Sequence, residues 1–352
     1  MKIGLNSGIF PATWTPAEKV EATARVGASG LELNIDTNQL WTQRLDAGAR
    51  RTLRRQATDA GVEIVSLCMN AHWVFNLASP DVRIRDLGVS LMLDAIEMAE
   101  TLGATALLIP GCDQDQSPEN RWELFRDGVM QALGRAEKSG VRLALEAVGK
   151  PFLFDSALLL RMIDDCGGGD SLGVYLDVGN STRGGMDPAA EIQAAGQRSV
   201  LCHVKDWNPN IPAERLLGGG GVDFPRSLAA LRAIGYDGFL LVELPPEPAD
   251  ADLVARHSIG VFGRRAPESV GIIPAFREAR IYQRAGFEEV GRVHTSSPFS
   301  CPICLPCPAS RSTIEAGSVT CFSPHLLLPV ACKSSGASTF SSTPQERQRC
   351  QN

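Results

Sequence analysis

Residues Gly173–Asn180 read GVYLDVGN, an apolar run of strand character that carries a carboxylate, Asp177, immediately before a Gly-Asn turn. A buried carboxylate is costly unless it is paired, hydrogen-bonded or bound to a cation, so the surroundings of this segment decide its meaning. Outward in both directions the chain repeats one design. Short apolar runs KIGLNSGIF, GLELNID, VEIVSLCMN, TALLIPG, VRLALEAVG, SLGVYLDVG, SVLCHVKDW and GFLLVEL lie between Lys2 and Phe262. Longer amphipathic runs separate them, among them PAEKVEATARVGA, GARRTLRRQATDAG, RIRDLGVSLMLDAIEMAETLGA, WELFRDGVMQALGRAEKSG and PRSLAALRAIG. Several of these end in Gly, a common helix stop. Strand and helix alternating eight times over about 260 residues predict an α/β fold, a closed (β/α)8 TIM barrel over residues 1–262. An open doubly wound sheet is the competitor, but it often carries a Gly-rich nucleotide loop after its first strand, and NSGIFPATW is not one.

A strand sends alternate side chains to opposite faces. In RLALEAV, Ala144 and Glu146 share one face and Leu143 and Leu145 the other. Tyr175 and Asp177 oppose Val174 and Leu176; Leu201, His203 and Lys205 oppose Cys202 and Val204; Leu241 and Glu243 oppose Leu240 and Val242. On the second run Glu32, Asn34 and Asp36 oppose Leu31, Leu33 and Ile35. One face is aliphatic and suits a helix layer. The other gathers polar groups at the strands' C-terminal ends, which form the mouth of a parallel barrel.

Glu146, Asp177, His203 and Glu243 are thereby expected on the inward face at the ends of strands five to eight. Two Glu, one Asp and one neutral imidazole suit one divalent metal ion, with Mn²⁺ first and Mg²⁺, Co²⁺ or Zn²⁺ as alternatives. Taken singly, each residue is an ordinary strand-end polar group. Four in register argue for a shared ion, which would neutralise Asp177.

The totals narrow the classes. With 352 residues, 44% of them hydrophobic, the chain can bury a large core, and its formal net charge of −6 argues against nucleic acid as a partner. No apolar run approaches the length of a bilayer span, and the start lacks a signal peptide's pattern, so the expected location is the cytoplasm, with no membrane partner. Cys68, Cys112, Cys166 and Cys202 are scattered as reduced core thiols would be.

The set LALEAVG, YLDVGN, CHVKDW and LLVELP resembles the xylose-isomerase-like barrels, particularly sugar and sugar-phosphate epimerases and isomerases. The resemblance covers residues 1–262. It implies that Glu146, Asp177, His203 and Glu243 bind one divalent metal, and that Glu146 and Glu243 also move protons. The implied activity is epimerisation or isomerisation of a ketose or ketose phosphate through an enediolate. The small-molecule partner is then a sugar or sugar phosphate, with a homo-oligomer left open. Alternatives are a keto-inositol dehydratase on the same barrel and a non-catalytic sugar-binding barrel. Abasic-site endonuclease chemistry ranks lower, because its three-zinc cluster needs several more histidines than the barrel's His72, His203 and His257.

Further candidates for sugar contact surround this set. Glu32 suits a substrate hydroxyl or a buried ion pair with Lys205 or another neighbour. His72, in NAHW, suits a hydroxyl contact or loop packing. Asn180 stands where ketose epimerases often carry His, and Lys205 suits substrate oxygens. Asp206 suits a turn. Arg215, followed by LGGGGVDF, suggests a phosphate cradle, although four glycines also make a flexible connection. His257 reads as a surface residue. Beyond residue 262 the composition changes. Residues 274–294 resemble the closing segment of acetyltransferase domains without an acetyl-CoA loop before them. Residues 295–352, Ser-, Pro- and Cys-rich and containing CPICLPC, read as disordered rather than as a functional domain.

Overall fold

A computed structural model of the chain describes residues 1–37, 45–113, 118–209, 217–244 and 251–263. Eight parallel strands close into a ring: β1 (Lys2–Asn6), β2 (Gly30–Asn34), β3 (Glu63–Cys68), β4 (Ala106–Pro110), β5 (Arg142–Glu146), β6 (Leu172–Asp177), β7 (Ser199–Val204) and β8 (Phe239–Val242). Closure comes from β8 pairing back onto β1, Lys2 beside Phe239 and Leu5 beside Val242. Around the ring lie α1 (Pro16–Val26), α2 (Ala47–Asp59), α3 (Val82–Leu102), α4 (Arg121–Ser139), α5 (Ser156–Asp165), α6 (Val178–Arg183), α7 (Pro188–Ala195), α8 (Phe224–Ala233) and α9 (Ala251–Gly263). The expected barrel is therefore present.

Local chemistry sets the ends of the elements. Thr15 and Glu18 form a reciprocal capping box at the start of α1, with Pro16 in its first turn. Gly27, Gly103 and Gly140, at φ of 89°, 80° and 66°, end α1, α3 and α4 in the left-handed conformation. Strand β1 stops at Asn6, short of the apolar run's end at Phe10. The Asn6 side chain accepts the Gly8 amide at 2.7 Å and turns the chain into a 3₁₀ helix, Ser7–Ile9. Helix α6 replaces the turn expected after Asp177. Asp177 Oδ1 accepts the Asn180 amide at 2.8 Å, so the residue caps a helix as well as ending a strand.

Two separate apolar cores follow from the two strand faces. Leu143, Leu145, Val174, Leu176, Cys202, Val204, Leu240 and Val242 pack outward against the helices. Ala144, Tyr175, Leu201 and Leu241 point inward and join Val65, Leu108 and Phe239. Each aliphatic side chain buried this fully contributes about 1.5–3 kcal/mol. The lower end of the barrel depends on Gly30, because a Cβ there would lie 2.3 Å from the Phe239 ring. Cys68, Cys112, Cys166 and Cys202 are free and buried, and burial pushes the Cys112 thiol up to about 12 and the Cys166 thiol to about 11. They are unpaired core thiols, as their scatter suggested.

No helix among the described residues is long and apolar enough to cross a membrane. His257 is half-buried rather than at the surface, its Nε2 3.2 Å from the Leu217 carbonyl, and it ties α9 to the loop after β7. Arg215 and residues 264–352, with the acetyltransferase-like stretch and CPICLPC, lie outside the described residues.

Candidate metal centre

The ring's register sets Glu146 beside Tyr175 and Asp177 beside His203. Glu243 is one residue beyond β8, and its amide extends the ladder to the Val204 carbonyl at 3.2 Å. One donor atom from each of Glu146, Asp177, His203 and Glu243 falls within 4.8 Å of all the others. His203 Nδ1 stands at the centre of the group, 3.3 Å from Glu146 Oε1, 3.3 Å from Glu243 Oε2 and 3.9 Å from Asp177 Oδ2. The four residues named from strand faces thus converge on one point.

A divalent ion with bonds of about 2.0–2.3 Å needs donors roughly 3–4.5 Å apart, so the group fits one ion with small adjustment. Its chemistry suits one. Glu32, Glu146, Asp177 and Glu243 bring four carboxylates into the barrel, against Lys205 and the titratable His203. Lys205 Nζ lies 2.7 Å from Asp177 Oδ2 and 2.5 Å from Glu243 Oε2, which places a cation among the donors. Gly179 leaves room for that lysine, since a Cβ there would meet Lys205 Cγ at 2.3 Å. Glu243 and Lys205 are about a quarter exposed, while Asp177 and His203 are at or near zero, so the cluster opens to solvent on the Glu243 side.

The two glutamates differ electrostatically. Burial raises Glu146 to about 8; the hydrogen bond with His203 opposes this, and the charges of Asp177 and Glu243 add to it. Burial pushes Glu243 up as well, but the charges of Lys205 and His203 outweigh it and hold Glu243 well below the usual carboxylate range. One carboxyl is set to be neutral near pH 7 and the other ionised.

Under this cluster lies a second polar layer. Glu32 is fully buried and accepts from Asn6 Nδ2 at 2.8 Å, His203 Nε2 at 2.5 Å, Ser66 Oγ at 2.6 Å and the Tyr175 hydroxyl at 2.7 Å. Its burial favours the ion-pair alternative over the sugar contact. It pairs with a neighbour, as the alternative held, but that neighbour is His203 and not Lys205. Burial alone would raise Glu32; the His203 charge and these hydrogen bonds outweigh it and keep it low. Asn6, Ser66 and Tyr175 carried no motif in the sequence, although Tyr175 shares the inward face with Asp177.

Asn180 joins the site. Its Nδ2 donates to Glu146 Oε1 at 3.2 Å, while its Oδ1 is buried without a hydrogen-bond partner. His72 does not join it. Its Nε2 faces the Gly88 carbonyl at 3.1 Å on α3, and burial pushes its imidazole down to about 4, so it is a neutral packing residue. The glycine run also departs from the phosphate-cradle reading. Asp206 accepts the amides of Gly218 at 2.8 Å, Gly220 at 2.8 Å, Val222 at 3.2 Å and Trp207 at 2.9 Å. The amides of Gly218 and Gly220 are thus spent on a carboxylate of the chain itself. Gly220 must lack a side chain, because a Cβ would lie 2.0 Å from Asp206 Oδ1.

Known proteins share this fold and sequence. L-ribulose-5-phosphate 3-epimerase UlaE of Salmonella typhimurium is 30% identical over 280 residues, covering 78% of this chain and 97% of that protein. Its Escherichia coli counterpart is 29% identical over 253 residues, covering 70% and 88%. Among solved structures, an L-ribulose 3-epimerase superposes with a TM-score of 0.63 at 19% identity, over 83% of this chain and 99% of that one. D-allulose 3-epimerase from Methylomonas sp., in complex with D-allulose, gives 0.64 at 18% identity over 75% and 97%. The family model described as xylose isomerase-like TIM barrel matches residues 20–264. With eight strands closed in a ring and a carboxylate–imidazole cluster at its mouth, the chain belongs to the xylose isomerase-like TIM barrel family.

Proposed function

We propose that the protein is a divalent-metal-dependent epimerase of a ketose or ketose phosphate, in which Glu243 and Glu146 exchange protons with one substrate carbon through an enediolate. The observation that carries this reading is the convergence of Glu146, Asp177, His203 and Glu243, with the two glutamates driven toward opposite protonation states. Its kinship with 3-epimerases of L-ribulose 5-phosphate supports the substrate class.

A hydrogen on carbon beside a ketone is weakly acidic, so removing it needs a base in place and stabilisation of the charge left behind. Glu146, Asp177, Glu243 and Nδ1 of His203 would hold the cation. When bound, such an ion supplies positive charge against the negative charge that builds on the substrate's oxygens. Glu243, ionised and on the open side, takes the proton from one face of the carbon. The C–H electron pair moves into the carbon framework and charge develops on the carbonyl oxygen. Glu146, carrying its proton, returns one to the same carbon from the opposite face and inverts it. Glu243 then holds a proton and Glu146 does not, which is the state the reverse reaction requires; exchange with solvent resets the pair. Asn180 Nδ2 fixes the Glu146 carboxyl, and its orphaned Oδ1 accepts a hydrogen bond from a substrate hydroxyl. Lys205 steadies Glu243 and meets substrate oxygens at the open edge.

The test is a panel of ketoses and their phosphates in D₂O with equimolar Mn²⁺, followed by NMR. Deuterium should enter at one carbon beside the carbonyl as a second stereoisomer appears, and Glu146→Gln or Glu243→Gln should stop both. Retained exchange in both variants would remove the acid/base assignment.

A further inference from the structure

Among the described site residues, His203 is the one that touches both polar layers. Its Nδ1 faces the three carboxylates of the upper layer, while Nε2 lies 2.5 Å from Glu32 Oε1 in the lower one. An imidazole that donates from one nitrogen presents a lone pair on the other, and the partner of the donating nitrogen selects which is which. Glu32 is suited to that selection. It is fully buried, so it meets neither solvent nor a ligand at the mouth, and all its nearby partners are donors. Asn6 and His203 approach Oε1, and Ser66 and Tyr175 approach Oε2. Asn6 is held in turn by Asn34, donating to its Oδ1 at 3.1 Å and accepting from Nδ2 at 2.9 Å. The Tyr175 ring packs against the imidazole at 4.5 Å between centroids, which limits ring rotation.

We infer that Glu32 is a positioning residue of the metal centre: by keeping a proton on His203 Nε2, it presents Nδ1 as the ligand nitrogen. This rests on the metal-centre reading proposed above, but Glu32 touches neither ion nor substrate and acts only through His203. The lower layer of Asn6, Asn34, Ser66 and Tyr175 holds the carboxylate in one orientation. Partners of this kind behind a histidine ligand typically alter metal affinity 10- to 100-fold when lost.

The full-length chain, labelled with [¹⁵N]histidine, contains five histidines, and His203→Asn identifies the His203 signals. Long-range ¹H–¹⁵N spectra of the metal-free protein should show protons on both nitrogens of His203, and Zn²⁺ addition should remove the one on Nδ1 and leave the one on Nε2. Isothermal titration with Mn²⁺ should show Glu32→Gln binding about 10- to 100-fold more weakly, with His203 in mixed tautomers. Tyr175→Phe, which keeps the carboxylate, should lose less than tenfold. An unprotonated Nε2 in the wild type, or a Glu32→Gln variant with unchanged affinity and tautomer, would overturn the assignment. If Glu32→Gln fails to fold, the wild-type spectrum alone decides. If the wild type binds no metal, the proposed function fails, while spectra at a pH high enough to make the ring neutral still judge whether Glu32 keeps the remaining proton on Nε2.

Discussion

The two polar layers inside the barrel use the same chemistry to opposite ends. Below, one carboxylate, Glu32, meets four donors and is sealed from solvent. Above, three carboxylates share Lys205, one face of His203 and the Asn180 amide, and the group opens at Glu243. A buried charge that is fully hydrogen-bonded is a structural part; a surplus of carboxylates over donors stores affinity for a cation. Asp206 belongs with Glu32, since it is saturated by the backbone amides of the glycine run. The difference separates residues that hold shape from those placed to do chemistry, and substitutions should follow that division.

The largest effect should come from the upper layer. Glu146→Gln and Glu243→Gln each remove a proton carrier while keeping its shape, and the exchange rate should fall by roughly 10²–10⁴ with little change in melting temperature. Comparable exchange in either variant would break the division. Metal binding sharpens it further. Burial would lower His203, but the charges of Glu243 and Glu32 outweigh it and raise it well above an ordinary imidazole, so a cation that takes Nδ1 must displace a proton there. Mn²⁺ affinity should therefore rise with pH by roughly tenfold per unit around pH 7 and level off once His203 has lost that proton. Calorimetry in buffers of different ionisation heat should register about one proton released per ion at pH 7. Removing the ion with a chelator should abolish exchange, and equimolar Mn²⁺ should restore it.

In the lower layer the sign of the effect changes from activity to stability. Tyr175→Phe deletes a hydrogen bond to a buried carboxylate and should cost about 1.5–3 kcal/mol of unfolding free energy, read by urea titration, while exchange persists. The smallest effect is expected at a carboxylate of a third kind. Asp252 pairs with Arg25 at the surface at 2.7 Å and 2.8 Å, and Asp252→Asn should change stability by no more than about 1 kcal/mol.

Much of this division could be read from the chain before any coordinates. Period-two alternation sorted Leu143, Val174 and Leu240 from Glu146, Asp177 and His203, because in a barrel one face meets helices and the other the interior. The four-residue cluster follows from that sorting plus position at the strand ends. The pairing of Glu32 with His203 was not legible, because the two are 171 residues apart and meet only across a closed ring. Asp206 reads as a turn residue, but its partners were not legible: a run of glycines looks alike whether its amides face a phosphate or a side chain. Helix α6 was hidden because Gly179 and Asn180 carry turn propensity, which the Asp177 cap overrides. His72 misleads in the other direction, since its place in the loop after β3 suggested a sugar contact while the helix carbonyl of Gly88 takes its ring.

The account's central claim is that Glu146, Asp177, His203 and Glu243 share one ion. A crystal of the full chain soaked in Mn²⁺ and measured at the manganese absorption edge tests it directly. One anomalous peak should appear about 2.0–2.3 Å from each carboxylate and from Nδ1 of His203. A peak elsewhere, coordination through Nε2, or no peak with all four side chains in place would contradict it.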